Sequence, residues 1–342
     1  MPAITSGKIL VTGANGYIAV WIVKSLLEAG FAVRGTVRSE SKATYLRSYF
    51  KSFGDKFEVV VVSDITKEDM FAEWVKDVDA IAHTASPFHL NSVEPDEMIV
   101  PAVQGTLSVL KAAEAHGQNV KRIVVLSSTA AVQLPGEKPG VFDESAWNEA
   151  SVAEVKEKGR DASPSAKYCA SKTLAERAAW DWWLERKDKV PFDLTVLNPP
   201  FVFGPNIHDV KKPEEMGTSM LMWYNYVVKG AASNETLAND GATFVDVRDI
   251  AEAHTRAFKT PAAGGQRFII CAGSYKYQEF VSAAHRWSNK LPAGNTSYDP
   301  SKAVYMISHD NRKGVETLGM KYHTIDETTR DSLEDFKARG WL

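Results

Sequence analysis

The chain reads as an α/β protein in which a Rossmann-type doubly wound parallel sheet is followed by a smaller C-terminal α+β lobe. Three observations lead to this. Short apolar runs alternate with amphipathic stretches of helical period across the first two hundred residues, the pattern of successive βαβ units. The segment Thr12-Gly13-Ala14-Asn15-Gly16-Tyr17-Ile18-Ala19 stands between the first such run and the first such stretch. Finally, Asn198-Pro199-Pro200-Phe201-Val202-Phe203-Gly204-Pro205 is too rich in proline to continue as a regular element, so a shaped loop at the sheet edge is expected there.

In chain order, strands are predicted at Lys8 to Thr12, Phe31 to Val37, Phe57 to Val62, Ala80 to His83, Arg122 to Leu126 and Phe192 to Leu197. The first crossover is the most explicit. Tyr17 to Ala29 carries apolar residues at helical spacing, with Gly30 at the position just past its end. After the proline-rich break come the aromatic residues Trp223, Tyr224 and Tyr226, and then Phe244 to Ile250, where a short strand passes into a helix reaching about Phe258. A further strand is expected at Arg267 to Cys271, and helices at Gln278 to Ser288 and Asp326 to Ala338. Residues 1–200 should form a dinucleotide-binding domain with a return segment at about 243–258, and 201–342 should be mainly a substrate-binding lobe.

Composition narrows the function. With 342 residues, 44% of them hydrophobic, the chain can bury a substantial core. Its net charge of −3 comes with dispersed Lys and Arg, so no basic stripe points to nucleic acid. Two cysteines are too few for a disulfide framework, and the eight histidines show no zinc-site spacing, so a reducing compartment and no metal are expected. No apolar stretch is long enough to span a bilayer and no signal-like segment precedes the first strand, so a cytoplasmic protein is expected.

Two distant segments carry chemistry. Gly13 and Gly16, between a strand and a helix N-terminus, suit a dinucleotide pyrophosphate. Tyr168 and Lys172 lie four residues apart in a helical pattern, so a phenol and an ammonium share one face and the ammonium is expected to lower the phenol pKa. Ser127-Ser128-Thr129 follows the apolar run Ile123 to Leu126 and puts hydroxyls at the carboxyl edge of the sheet, with Ser128 the choice for a third catalytic group. Together these imply hydride transfer coupled to proton transfer at a carbonyl. Tyr298 and Lys302 repeat the spacing, but Pro300 between them breaks the helix that would align them. For Cys169, His83 and His89 a structural role is the expectation, and Trp180, Trp182 and Trp183 should pack against the sheet or a neighbouring helix. At the end of the second strand stands Arg38, followed by Lys42, where NAD-dependent relatives of the fold carry an acid; a 2′-phosphate, and so NADPH, is favoured.

These stretches, with His83-Thr84-Ala85-Ser86-Pro87-Phe88, Ser127-Ser128-Thr129-Ala130-Ala131-Val132, Val202-Phe203-Gly204-Pro205 and Asp246-Val247-Arg248-Asp249, occur in the order in which the chain resembles the extended short-chain dehydrogenases/reductases. The branch it resembles holds fungal NADPH-dependent methylglyoxal and isovaleraldehyde reductases, yeast carbonyl reductases and plant dihydroflavonol reductases. The resemblance implies Ser128, Tyr168 and Lys172 as the catalytic group. It implies cofactor contacts from Gly13, Ala14, Asn15, Gly16, Tyr17 and Ile18, from Asp64 and Ile65, from Ala85 and Ser86, and from Val202 and Ser219. Phe88, Gln133, Trp223 and Tyr226 are the candidates for the substrate pocket. Gln133 replaces an aromatic residue of the yeast aldehyde reductases, and the Asn-Trp-Tyr-Cys-Tyr signature of plant cinnamoyl-CoA reductases is absent, which argues against a CoA thioester. The expected activity is NADPH-dependent reduction of small to medium hydrophobic aldehydes, ketones or α-dicarbonyls by a monomer or homodimer. A nucleotide-sugar epimerase or dehydratase of the same fold and a non-catalytic NADPH sensor are the alternatives.

Overall fold

The computed structural model describes residues 3–86, 92–133, 136 and 138–342. The first half runs β1 (Lys8–Thr12), α1 (Tyr17–Glu28), β2 (Ala32–Val37), α2 (Glu40–Tyr49), β3 (Phe57–Val61), β4 (Ala80–His83), α3 (Asp96–His116), β5 (Arg122–Leu126), β6 (Gly140–Phe142), α4 (Glu149–Lys158) and α5 (Pro164–Leu184). The second runs β7 (Asp193–Asn198), β8 (Phe201–Phe203), α6 (Thr218–Trp223), α7 (Asn234–Asn239), β9 (Gly241–Asp246), α8 (Val247–Lys259), β10 (Gln266–Ile269), β11 (Gly273–Lys276), α9 (Tyr277–Trp287), β12 (Ile307–His309), α10 (Arg312–Leu318) and α11 (Ile325–Ala338).

Seven strands form one sheet in the order β10-β7-β5-β4-β1-β2-β3, every neighbouring pair parallel. Side chains of a strand alternate between faces, and here each face meets a helical layer. Ile9 and Val11 enter the cluster that includes Val20, Val23 and Leu27 of α1 and Ile250, Ala253 and Phe258 of α8. Leu10, Ile81, Ile123 and Val125 point the other way, toward Val109 and Leu110 of α3 and Ala179, Trp182 and Trp183 of α5. The tryptophans of α5 thus serve mainly the core, with Trp182 stacked on Phe192 at 6.2 Å. Gly30, at φ 95°, ends the first crossover in the left-handed region as its position predicts. Helix α5 begins on a Ser163 cap whose hydroxyl accepts from the Ala166 N–H, with Pro164 in the first turn.

Two features depart from the expectation. The proline-rich segment is not loop throughout, because Phe201–Phe203 forms β8 and pairs in parallel with β9. Pro199, Pro200 and Pro205 flank these three residues without interrupting their hydrogen bonds, and burial of Val202 and Phe203 holds the strand in place. The strand expected at Arg267 to Cys271 is Gln266–Ile269, and it joins the large sheet as its seventh strand beside β7. The chain therefore returns to the nucleotide-binding sheet through residue 269, well beyond the helix that ends near Phe258. Strands β11, β9 and β8 make a second sheet over an aromatic core in which Phe203, Phe244, Tyr275 and Phe280 meet at 5.2–6.4 Å.

The return segment is tied down by a buried charge. Arg122, fully enclosed at the start of β5, donates Nε to Asp193 Oδ1 at 2.6 Å and Nη2 to Oδ2 at 2.9 Å. It also donates to the carbonyls of Ala257 and Thr260 at the end of α8. Removing one member of such a pair leaves an uncompensated buried charge, which costs about 3–5 kcal/mol. Asp193→Ala should accordingly destabilise the protein by that amount in denaturant unfolding, whereas Glu28→Ala, which breaks only the exposed Lys24 pair, should change it by less than about 0.5 kcal/mol.

Candidate active site

The sheet order reverses between β1 and β4, and a ligand crevice opens at the carboxyl ends of the strands on either side of such a point. Thr12 and His83 face each other there in register. Thr12 Oγ1 accepts from the N–H groups of Thr84 and Ala85, both at 3.0 Å. With its lone pairs engaged it donates its own proton to His83 Nδ1 at 3.0 Å, which places the ring proton of His83 on Nε2. Burial holds this histidine neutral, its pKa down at about 4, so its role is structural.

The glycine loop is shaped for a dinucleotide. Gly13 has φ 66°, and a Cβ there would also press within 3.1 Å of Ala85. Gly16 has ordinary backbone angles and a Cβ on it would meet Gly13 O at 3.4 Å and Ala19 Cβ at 3.9 Å, both tolerable, so its value is the close approach it leaves to a pyrophosphate. The amides of Gly13, Ala14 and Gly16 are used by Thr36 Oγ1, Thr36 O and Gly13 O respectively. Those of Asn15, Tyr17 and Ile18 have no partner among the described residues, and α1 opens without a side-chain cap or an acid in its first turn. That is an anion site built of backbone. Two assigned contacts are thereby narrowed. Ala14 packs its side chain against Gly35, and the Tyr17 hydroxyl donates to Gly204 O at 2.9 Å, so from Tyr17 it is the backbone that faces the loop.

Arg38 and Lys42 are exposed past the end of β2, and no carboxylate is bonded to either among the described residues. Glu40, the nearest acid in sequence, gives its carboxylate to Arg47. Asp64 folds back on Thr66, accepting from its N–H at 3.0 Å and its hydroxyl at 2.7 Å, and Ile65 is lodged against Gly105 of α3. Ala85 and Ser86 line a small pocket at the strand ends with His83 and Lys172. Val202 is buried in β8 and Ser219 is half-buried in the first turn of α6.

Ser128, Tyr168 and Lys172 come together at the ends of β5 and on α5. The Ser128 hydroxyl stands beside the Tyr168 phenol, close enough to act on its ionisation; it donates to Pro199 O at 3.4 Å and accepts from the Ala130 N–H at 3.1 Å, which fixes its position. Lys172 Nζ lies 6.0 Å from the centre of the Tyr168 ring. It has no ion pair among the described residues, as fits a group that takes up ribose hydroxyls. The expected lowering of the Tyr168 pKa is not found. Burial dominates and pushes the phenol up to about 12, against the opposing effect of Ser128. The same burial brings Lys172 down to about 8, with Glu176 acting to raise it. By contrast Tyr298 donates to Glu279 at 3.1 Å, and Lys302 pairs with Asp299, so the repeated spacing near the C-terminus makes no second site.

Behind this trio stands a buried network that motif reading passed over. Glu176, one turn beyond Lys172, accepts from Ser127 Oγ at 2.6 Å and Asn198 Nδ2 at 2.7 Å on one oxygen. Its other oxygen accepts from Arg267 Nε at 2.6 Å and Trp180 Nε1 at 3.3 Å. Asn198 Nδ2 also reaches Ser128 O at 3.0 Å. The spacing 168, 172, 176 was the available signal, since all three share one helix face.

The substrate candidates divide. Phe88 and His89 lie outside the described residues. Gln133 is half-buried, its Nε2 enclosed and without a partner among the described residues. Tyr226 is half-buried against Tyr277 at 4.8 Å. Trp223 is not a pocket wall. It is fully enclosed between Phe280 at 6.0 Å and Phe336 at 6.1 Å, because the second lobe uses its aromatic residues as core. A groove of about 670 Å³ elsewhere, on the outer side of α5, is lined by Trp147, Arg177 and Trp180 and does not reach Tyr168.

The chain and its fold are similar to known proteins. The chain is 35% identical to a ketoreductase of Aspergillus niger over 95% of its own length and 96% of the relative's. It is 33% identical to a putative NADPH-dependent methylglyoxal reductase of Candida albicans, covering 96% and 98%. The crystal structure of a yeast methylglyoxal/isovaleraldehyde reductase complexed with NADPH superimposes with a TM-score of 0.85 at 31% identity, over 98% of this chain and 100% of that one. Residues 9–272 match the model of the NAD dependent epimerase/dehydratase family. The chain belongs to that family, among the extended short-chain dehydrogenases/reductases.

Proposed function

We propose that the protein is an NADPH-dependent carbonyl reductase that converts small to medium hydrophobic aldehydes, ketones or α-dicarbonyls to alcohols. The observation that carries the reading is the placement of Ser128 beside Tyr168 at the carboxyl edge of the sheet, with Lys172 one turn along α5. When bound, the reduced nicotinamide supplies a hydride to the carbonyl carbon. Tyr168 gives its proton to the oxygen that becomes the alcohol, and Ser128 donates a hydrogen bond to the same oxygen. A phenol whose pKa is raised is fully protonated at neutral pH, which suits an acid in the direction of reduction. Lys172 binds the nicotinamide ribose, and its positive charge stabilises the phenolate left after proton transfer. The amides of Asn15, Tyr17 and Ile18 hold the pyrophosphate, Arg38 and Lys42 the 2′-phosphate, and Asp64 and Ile65 flank the adenine. Val202 and Ser219 stand toward the nicotinamide. Gln133 and Tyr226 face the substrate, Gln133 making this wall more polar than an aromatic residue would. Residues 1–200 with the returning segment form the cofactor domain and most of 201–342 the substrate lobe. No helix among the described residues is long and apolar enough to cross a membrane. A cytoplasmic monomer or homodimer completes the reading.

NADPH consumption with a panel of aldehydes, ketones and α-dicarbonyls is the direct test, with nucleotide sugars and CoA thioesters expected to give none. Tight binding of a UDP-sugar in calorimetry would favour an epimerase instead. Tyr168→Phe should lower kcat by ~10²–10⁴-fold while leaving NADPH affinity nearly intact, because only the proton donor is lost. Tyr298→Phe should leave kcat unchanged. Arg38→Ala should raise KM for NADPH roughly tenfold or more, the equivalent of a charge-assisted hydrogen bond of about 1.5–3 kcal/mol, with KM for NADH barely moved. Equal losses with the two cofactors would assign Arg38 to the fold and not to the phosphate.

A further inference from the structure

Nothing in the reaction as derived uses Glu176, a carboxylate 1% exposed and bonded by four donors. We infer, on the basis of the reductase reading, that Glu176 is a positioning residue: its charge, fixed by Arg267, keeps the Lys172 ammonium protonated, and its hydrogen bonds seat Ser128 against Tyr168.

The geometry has two parts. Lys172 and Glu176 line a small cavity of about 20 Å³ together with His83 from the end of β4 and Ser127 from the end of β5. Among the described residues on that cavity Glu176 is the sole carboxylate, and His83 is neutral. Tyr168, protonated, faces Lys172 from its own helix. Arg267 lies beyond the carboxylate, bonded to its Oε1, and lines the outer groove instead of the cavity. The ammonium therefore meets the negative charge first. The carboxylate's two oxygens take four donors, one of them a guanidinium. Without Glu176, burial would act on Lys172 unopposed. The second part is mechanical. Asn198 Nδ2 bonds both Glu176 Oε2 and Ser128 O, while Ser127 Oγ bonds the same oxygen, so α5 and the strand end that carry the catalytic groups meet on one atom.

A buried ion pair could do no more than staple α5 to β10, and such pairs can often be replaced by apolar side chains without loss of stability. The test separates the two roles. In protein labelled with carbon-13 at the lysine ε position, Lys172 is assigned by Lys172→Arg and titrated by NMR in wild type, Glu176→Gln, Arg267→Met and the Glu176→Met/Arg267→Met double variant. Thermal stability and the pH dependence of kcat are measured alongside. Loss of Glu176 should lower the proton affinity of Lys172 about tenfold or more, and the fall of kcat at high pH should move to lower pH to match. Arg267→Met, which removes a cation, should shift it in the opposite direction or not at all. If Glu176→Gln alone does not fold, the double variant carries the test: it should regain thermal stability yet keep the weakened Lys172 proton affinity and the displaced pH profile. An unchanged Lys172 titration, or recovery of kcat and its native pH profile together with stability, would overturn the inference. A wild type that reduces no carbonyl would sink the reductase reading, and the NMR arm would still judge the effect on Lys172.

Discussion

Parallel strands cannot be joined by tight hairpins, so each of the seven strands of the large sheet must be reached by a crossing over one of its faces. Most of the crossings bring an α-helix, β3 to β4 being the exception, and the strands all finish along one edge. Thr12, His83, Leu126 and Asn198 are the last residues of β1, β4, β5 and β7, and the chemistry begins at or just after each of them. Because the edge is polar and both faces are apolar, hydroxyls and amides there have few partners besides one another and a ligand. Thr12 orients His83 in this way, and Asn198 holds the backbone of Ser128. The site is thus a product of the topology first and of individual side chains second.

Within that edge, burial and charge pull against each other. Tyr168 and Lys172 are both displaced toward their neutral forms, the phenol upward and the ammonium downward. A helix face with a phenol and an ammonium does not by itself make an acidic phenol. The ordering of the two groups depends on what lies around them, and the dominant influence here is exclusion of water by the packed helix, with Ser128 and Glu176 as local corrections.

Much of this was legible in the chain. Strand ends at Thr12, His83 and Leu126 coincide with the points where doubly buried apolar runs give way to polar residues, a change that leaves little freedom in placing the boundary. Gly13 and Gly16 marked the loop because only glycine leaves the required conformation at one and the required space at the other. What could not be read depended on distance. Glu176 meets Arg267 ninety-one positions away, and nothing local to either announces the partner. Trp223 resembled a pocket wall because an aromatic residue in a lobe whose core is itself aromatic has no signature to separate inside from lining. The three residues of β8 were too short a run, between prolines, to carry a period of two.

The late arrival of β10 and α8 also bears on how the chain can be made. Helix α8 covers the same face as α1, and the carbonyls of Ala257 and Thr260 that satisfy Arg122 belong to its end. A growing polypeptide that has just emerged past β7 would hold an apolar layer half covered, a buried guanidinium short of acceptors, and an open strand edge able to pair with another chain. The nucleotide-binding sheet cannot then close as an N-terminal unit while the rest is still being synthesised. The sheet gains its last strand only when residue 269 is available, and until then the edge of β7 is what a nascent chain most needs to have protected.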